Sequence, residues 1–442
     1  MSRENIEKYS LRYALLKAMA RFWHSKFFYR KIIVIGRENI NPDDYLIFAP
    51  NHQNALMDPL AVLFTQKGQP VFLARADIFK NRFIASILYF LKILPVYRIR
   101  DGFSTLKEND RVFEKTIDVL KHKNGLVILP EGNHEGTRRL RQLKKGICRI
   151  AFQTEEATGF TLNIKIVPVG IEFSHYHRIR QVLTVVYGKP IKVMDYRDLY
   201  LHNPGKAINE LKERLSDEMK KVMVHIETTD DYEAVDELRN IVNGKYCDDI
   251  KVPKLFRDRA LVGKLNNLNN VNPALYRKIC NLSLSVKKRA GKLGTDYRLL
   301  EKRTFSLPGL IAGTFALLLA LPVFLYGIAF NFIFYPVPEL IKKKIRDKQF
   351  YSTVIYTVSF FLAVLLLPVY LLISILLISP FWLALIIFVT IPVAGLVAWS
   401  YKIFFSRVRG GWRIRKYISE KNKDFLKLKK EHEELISIIN TL

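Results

Sequence analysis

From residue 9 to 28, Leu11, Leu15, Leu16, Met19, Phe22, Trp23 and Phe27 recur at helical spacing, with Arg12, Lys17, Arg21 and Lys26 among them. An apolar stripe with aromatics and a basic opposite face suits a helix lying in a membrane interface; the alternative is an ordinary helix packed on its own core. From 31 to about 195 the pattern alternates. Short β-branched or aromatic runs at 31–36, 45–49, 70–74, 126–129, 164–169 and 183–187 predict strands. Between them Ser104 caps an expected helix running to about His122, with Phe113, Ile117 and Leu120 on one face and Gly125 beyond its end. Strands alternating with helices imply an α/β core, a mixed sheet flanked by helices. Residues 196–305 are charged and mostly helical in pattern, with an amphipathic helix expected over 211–226.

The C-terminal pattern is different. A membrane span needs about 20 apolar residues. Residues 352–405 hold one charge, Lys402, and are long enough for two spans, 353–378 and 380–404, broken near Ser379 and Pro380. The run 307–335 has no charge but has Pro322 in its middle. Basic residues flank these runs: Lys302 and Arg303, then Lys342, Lys343, Lys344, Arg346 and Lys348, then Arg407, Arg409, Arg413, Arg415 and Lys416. The positive-inside rule wants all three clusters cytoplasmic, which a single clean span at 307–335 would violate. A re-entrant hairpin bent at Pro322, or an in-plane segment, removes the conflict. The expected organisation is an interfacial helix at 1–30, an α/β domain at 31–195, a charged helical region at 196–305, a membrane region at 306–405 and a basic cytoplasmic tail at 406–442.

Composition adds a partner class. Lys and Arg number 70 against 41 Asp and Glu, a net charge of +29 over 442 residues. Such an excess implies an anionic partner, and the apolar runs favour lipid headgroups or a phosphorylated substrate over nucleic acid. Nucleic-acid binding would interleave stacking aromatics with the basic patch, but here the aromatics mostly lie in the membrane runs. The cysteines, Cys148, Cys247 and Cys280, are odd in number and far apart, so neither a disulfide framework nor a zinc site is expected. The first residues carry charges throughout, and no cleavable signal peptide is expected. The expected location is a membrane, the inner membrane if the source is bacterial, with the α/β domain on the cytoplasmic side.

Four stretches carry candidate chemistry. The first, 51–59, reads Asn-His-Gln-Asn-Ala-Leu-Met-Asp-Pro and follows a strand. Removing a proton from an attacking hydroxyl needs a base, and neutral imidazole suits the operating pH. A carboxylate on the far ring nitrogen fixes the tautomer, and Asp58 follows His52 after five residues. The second is 94–101, where Arg98 and Arg100 offer forked donors for a phosphate or form a solvated basic loop. The third is Leu129-Pro130-Glu131-Gly132-Asn133-His134, presenting Glu131 at a strand tip and followed by Arg138, Arg139, Arg141, Lys144 and Lys145. Strand tips in α/β proteins are where ligands bind; the bland alternative is a tight turn before a basic helix, with His134 a local hydrogen-bonding residue. The fourth, 166–170, places Pro168 inside a strand, which points to an edge or a bulge.

The order and spacing of these stretches resemble the four blocks of the phospholipid/glycerol acyltransferase family. The resemblance covers roughly 31–195. It implies His52 as general base with Asp58 as its orienting partner. Asn51, Arg98, Arg100, Glu131 and Gly132 would contact the acceptor, and Pro168 would lie in the block tied to the acyl donor. It also implies a thioester co-substrate, acyl-CoA or acyl carrier protein, with no further cofactor and no metal, and a glycerol-phosphate acceptor. The commonest form of the family has one residue fewer between His and Asp; the longer spacing followed by Pro59 looks like the fungal type of glycerol-3-phosphate acyltransferase. The common block continues Thr-Arg after Glu-Gly, where this chain has Asn133-His134, so the phosphate contact must come from elsewhere, with Arg138 and Lys145 as candidates.

Overall fold

The computed structural model describes residues 5–97, 106–244, 252–300 and 306–442. They form two compact units, one of 1–225 with 347–353, the other of 226–346 with 354–442.

The first unit is built on eight strands: β1 (Tyr29–Ile35), β2 (Leu46–Pro50), β3 (Val71–Arg75), β4 (Ile93–Val96), β5 (Leu126–Val127), β6 (Lys165–Phe173), β7 (Gln181–Tyr187) and β8 (Ile191–Lys192). They join in the order β1-β7-β6-β2-β5-β3-β4, with β8 also on β6. β2 is flanked by β5 and β6, both parallel to it. β7 runs antiparallel to β6 and parallel to β1, so the sheet is mixed. Every residue of β2 and β7 is buried, as expected of strands covered on both faces.

Helices flank the sheet: α1 (Leu11–Phe22), α2 (Met57–Thr65), α3 (Arg82–Phe90), α4 (Leu106–Lys121), α5 (Gly146–Ala157), α6 (Arg197–His202) and α7 (Pro204–Val222). Ser104, the expected cap of α4, lies outside the described residues. α7 starts earlier than its apolar pattern indicated, because Asn203 caps it by accepting from Lys206 N–H and Pro204 opens it. Its buried face, Ala207, Leu211, Leu215, Met219 and Val222, belongs to this unit. A Cβ on Gly170 of β6 would stand 1.9 Å from the Val222 carbonyl oxygen, so the bare glycine lets helix and sheet meet. The α/β unit therefore runs past 195, to His225, and the charged pattern of 196–225 is the outer face of a packed helix.

One further expectation is corrected here. Pro168 does not mark an edge, since β6 is interior to the sheet. It falls where β6 hands over from β8, paired at 165–166, to β7, paired at 169–173. Its missing N–H costs no ladder bond there, and its carbonyl accepts from Gly188 N–H at 2.8 Å. In α1 Tyr13 is buried, while Arg12 and Arg21 are exposed. Lys17 Nζ donates to the carbonyls of Gln66 and Gly68, while Leu11, Leu15, Met19 and Phe22 stay exposed.

The second unit is helical: α8 (Tyr232–Asn243), α9 (Lys254–Val271), α10 (Pro273–Lys292), α11 (Leu307–Asn331), α12 (Pro336–Lys343), α13 (Tyr351–Leu377, its first turn counted with the α/β unit), α14 (Phe381–Ser419) and α15 (Lys423–Thr441). Among the described residues three stretches, Leu307–Phe334, Lys348–Leu377 and Phe381–Ser419, are long and apolar enough to cross a membrane. The chain does not turn at Pro322; α11 continues through it as one helix to Asn331. One proline removes one i→i−4 bond, and the remaining bonds hold the helix. α11 and α14 pack antiparallel, with Gly313 against Val408, Gly327 against Ala394, and Asn331 donating to the Ile391 carbonyl at 2.8 Å. The start of α11 and the basic end of α14 therefore share one side. The expected tail is helical and packed: α15 buries Phe425, Leu428 and Leu435, and its Glu431 accepts from Ser285 and Arg289 of α10.

Candidate active site

Because β5, β2 and β6 are parallel neighbours, their carboxyl ends open at one edge of the sheet, and the loops that follow meet there. His52 lies two residues beyond β2. Asn51 fixes the exit: its N–H donates to Val169 O, its Oδ1 accepts from Ile171 N–H at 2.6 Å, and its Nδ2 donates to Ile171 O. It is fully buried. The expected substrate contact at Asn51 is replaced by a brace between β2 and β6.

The chain then turns through Ala55, at φ 42°, into α2, which carries Asp58 in its first turn. Asp58 Oδ2 accepts three hydrogen bonds, from His52 Nδ1 at 2.9 Å and from the Gln53 and Asn54 amides at 2.7 Å each. The helix N-terminus further favours its negative charge. Asp58 is 0% exposed, and among the described residues its Oδ1 has no partner. A carboxylate only accepts, so His52 Nδ1 carries the proton and Nε2 keeps the lone pair. The longer spacing is thus compatible with a closed imidazole–carboxylate dyad.

Glu131 joins the next loop to this one. Its Oε1 accepts from His52 N–H at 2.7 Å and its Oε2 from Arg141 N–H at 3.0 Å. It is 2% exposed, and burial pushes its carboxyl up to about 7 against the two backbone donors. Gly132 follows at φ 69°, with its N–H on the Leu129 carbonyl, so a left-handed turn ends the strand extension. The His134 ring sits edge-on to the His52 ring with centroids 5.0 Å apart. Burial and the neighbouring His52 push its pKa down.

Arg138, expected to hold phosphate, is buried and committed elsewhere. Its Nε donates to Glu172 Oε1 at 2.6 Å, its Nη2 to the Phe173 carbonyl at 2.8 Å, and its guanidinium lies 4.6 Å from the Tyr176 ring centroid. It secures the end of β6. Lys145 is exposed at the start of α5, and exposed Lys144 passes beside Gly132. Arg98 and Arg100 lie outside the described residues. Pro168 is buried in the sheet in register with Ala49.

Residues missed in the sequence join the site from two places. Tyr176, after β6, donates its hydroxyl to Gln53 Oε1, and its carbonyl accepts from Asn54 Nδ2. Gln349 and Phe350 reach His134 from a segment far along the chain, Gln349 Oε1 bonding His134 Nδ1 and the Phe350 ring standing 5.0 Å away. No local pattern near either residue signals this, because the run reads as a basic connector between apolar stretches.

Residues 31–172 match the family model described as Acyltransferase. Glycerol-3-phosphate O-acyltransferase 1 of Saccharomyces cerevisiae is 31% identical over 127 residues, 28% of this chain and 16% of the relative. Glycerol-3-phosphate O-acyltransferase 2 of the same yeast is 26% identical over 129 residues, 29% of this chain and 17% of the relative. The match thus spans less than a fifth of either yeast protein. The 1-acyl-sn-glycerophosphate (LPA) acyltransferase PlsC of Thermotoga maritima is similar over 50% of this chain and 78% of its own, with 20% identity and a TM-score of 0.34. Residues 31–172 are thus similar to the Acyltransferase family, in the same part of the chain that carries the four blocks.

Proposed function

We propose that this chain moves a fatty acyl group from a thioester, acyl-CoA or acyl carrier protein, onto a hydroxyl of glycerol 3-phosphate or 1-acylglycerol 3-phosphate at a membrane surface. The observation that carries the reading is the 2.9 Å contact between His52 Nδ1 and Asp58 Oδ2 at the open edge of an acyltransferase-family sheet. His52 Nε2 takes the acceptor's hydroxyl proton as its oxygen attacks the thioester carbonyl. The oxyanion collapses, the C–S bond breaks and the thiolate leaves, taking up a proton; the acyl group ends as an ester on the acceptor. Asp58 stabilises the imidazolium formed on the way. Positioning of the acceptor supplies much of the remaining barrier reduction. With Arg138 committed to Glu172, the acceptor's phosphate falls to the cations of the basic loop, Lys144 and Lys145, and to Arg98 and Arg100.

The long apolar helices and the outward stripe of α1 support a membrane setting, with the α/β unit on the cytoplasmic side. The test is purified full-length protein in nanodiscs given palmitoyl thioester with each acceptor in parallel, the lipid products being resolved. The expected result is product with one of the two acceptors, and a His52→Ala turnover lower by about 100-fold to 10,000-fold with membrane insertion unchanged. Equal turnover in His52→Ala would remove the base role. No product with either acceptor favours the second reading, a basic membrane protein that binds anionic lipid without catalysis, which the net charge of +29 would serve.

A further inference from the structure

The run from Asp347 to Thr353 packs with the α/β unit, although the residues before and after it belong to the helical unit. Its contacts fall on all three loops at the open edge of the sheet. On the loop after β2, Leu56 N–H donates to Thr353 Oγ1 at 3.3 Å. On the loop after β5, Gln349 Oε1 bonds His134 Nδ1, Phe350 lies edge-on to the same ring at 5.0 Å, and a Cβ on Gly136 would stand 3.1 Å from Gln349 Cγ. On the loop after β6, Ser352 Oγ donates to the Tyr176 carbonyl and the Tyr351 ring lies 5.6 Å from His177.

We propose that Asp347–Thr353 is a further block of the active site, and that Gln349 positions the catalytic His52 imidazole by holding the His134 ring against it. The chemistry follows from the donors. Gln349 Oε1 can only accept, so His134 Nδ1 carries its proton and the ring is fixed in one tautomer. A ring fixed at Nδ1 and packed on Phe350 presents a constant edge to His52, 5.0 Å between centroids. Asp58 holds the His52 ring at Nδ1, and the His134 ring limits its swing. An imidazole held at two contacts keeps Nε2 aimed, and a misplacement of about 1 Å costs on the order of 100-fold in rate. His134 and Gln349 are positioning residues and take no part in bond making.

This inference rests on the acyl-transfer reading for its kinetic test, so a second readout is independent of turnover. In full-length protein in nanodiscs, Gln349→Ala and His134→Ala are each expected to lower kcat about tenfold with KM for both substrates within twofold. The double variant is expected to be no slower than the slower single one, since both break one contact. Gln349→Glu, which keeps the accepting oxygen, is expected to recover most of the loss. Independently, carbethoxylation of His134 by diethyl pyrocarbonate, followed by peptide mass spectrometry, is expected to run at least threefold faster in Gln349→Ala. Wild-type turnover and its loss in His52→Ala report on the acyl-transfer reading; the ratio of Gln349→Ala to wild type reports on the connector. Multiplicative losses in the double variant, wild-type kcat in Gln349→Ala, or unchanged carbethoxylation would overturn the positioning role. If no acceptor turns over, the labelling rate alone decides the contact.

Discussion

The side chain of Glu131 accepts the backbone N–H of His52 at 2.7 Å, fastening the loop after β5 to the residue proposed as base. The same carboxyl accepts from Arg141 N–H, so one side chain spaces two loops of the site. It acts on the backbone; a direct contact to the acceptor is not needed to explain its presence.

That burial has a sign. The Glu131 carboxyl is raised from 4.5 to about 7 in the fold. The folded state therefore holds a proton that the unfolded chain has released, and stability falls as pH rises from about 4.5 to about 7. Glu131→Gln, which cannot titrate, should show a flatter Tm against pH across this window. The expected divergence between pH 5 and pH 8 is up to about 3 kcal/mol. Parallel Tm curves for the two proteins would contradict the burial argument.

Arg138 is predicted to be a stability residue. Replacing it by alanine leaves Glu172, 5% exposed, without its partner and deprives the Phe173 carbonyl of a donor. Breaking a buried pair on one side costs about 3–5 kcal/mol. Thermal unfolding of Arg138→Ala should show that loss, while Arg138→Ala/Glu172→Ala recovers part of it. In whatever protein stays folded, KM for the acceptor should be unchanged; a selective rise in that KM would return Arg138 to phosphate binding.

Two helical glycines should respond in opposite directions. A Cβ at Gly327 would meet the Ala394 carbonyl oxygen at 2.3 Å, and that atom is backbone with little room to yield. Gly327→Ala should destabilise the α11–α14 pair by about 1–3 kcal/mol. Gly263, exposed within α9, has nothing within 4 Å of such a Cβ. Gly263→Ala should stabilise by about 0.5–1 kcal/mol. Melting of both variants in detergent checks the pair; equal effects would contradict the close approach at Gly327.

The α1 stripe should touch lipid. Leu15 is 59% exposed and Met19 50%, whereas Tyr13 on the same helix is 2% exposed. A photoreactive benzophenone side chain placed at 15 or 19 in full-length protein in nanodiscs is expected to capture lipid. The same group at 13 is expected to capture protein only. Protein-only capture at 15 and 19 would return α1 to an ordinary packed helix.

What could be read from the sequence, and what could not, divides by distance along the chain. The His52–Asp58 pair was legible because strand, turn and helix start lie within seven residues of sequence, 52–58, and one carboxylate closes them. The commitment of Arg138 was not, since Glu172 and Phe173 stand at the far end of β6 and no periodicity links them to a basic loop. Pro168 looked like an edge because the handover between β8 and β7 is a property of the whole sheet. The limit at 195 failed because α7 shows its charged face in the sequence, while the stripe that binds it to β6 is one residue in four. The bend expected at Pro322 treated proline as a stop, although a long apolar helix keeps its path around one missing bond.

The triple acceptance at Asp58 Oδ2 has a dynamic consequence. The imidazole and the two amides that shape its loop hang from a single atom, and the sister oxygen offers no second attachment among the described residues. Loss of that one contact frees the ring nitrogen and two amides together, while Glu131, Tyr176 and Thr353 still hold the loop. A disturbance at Asp58 should therefore cost the ring its tautomer and aim while the rest of the site stays assembled.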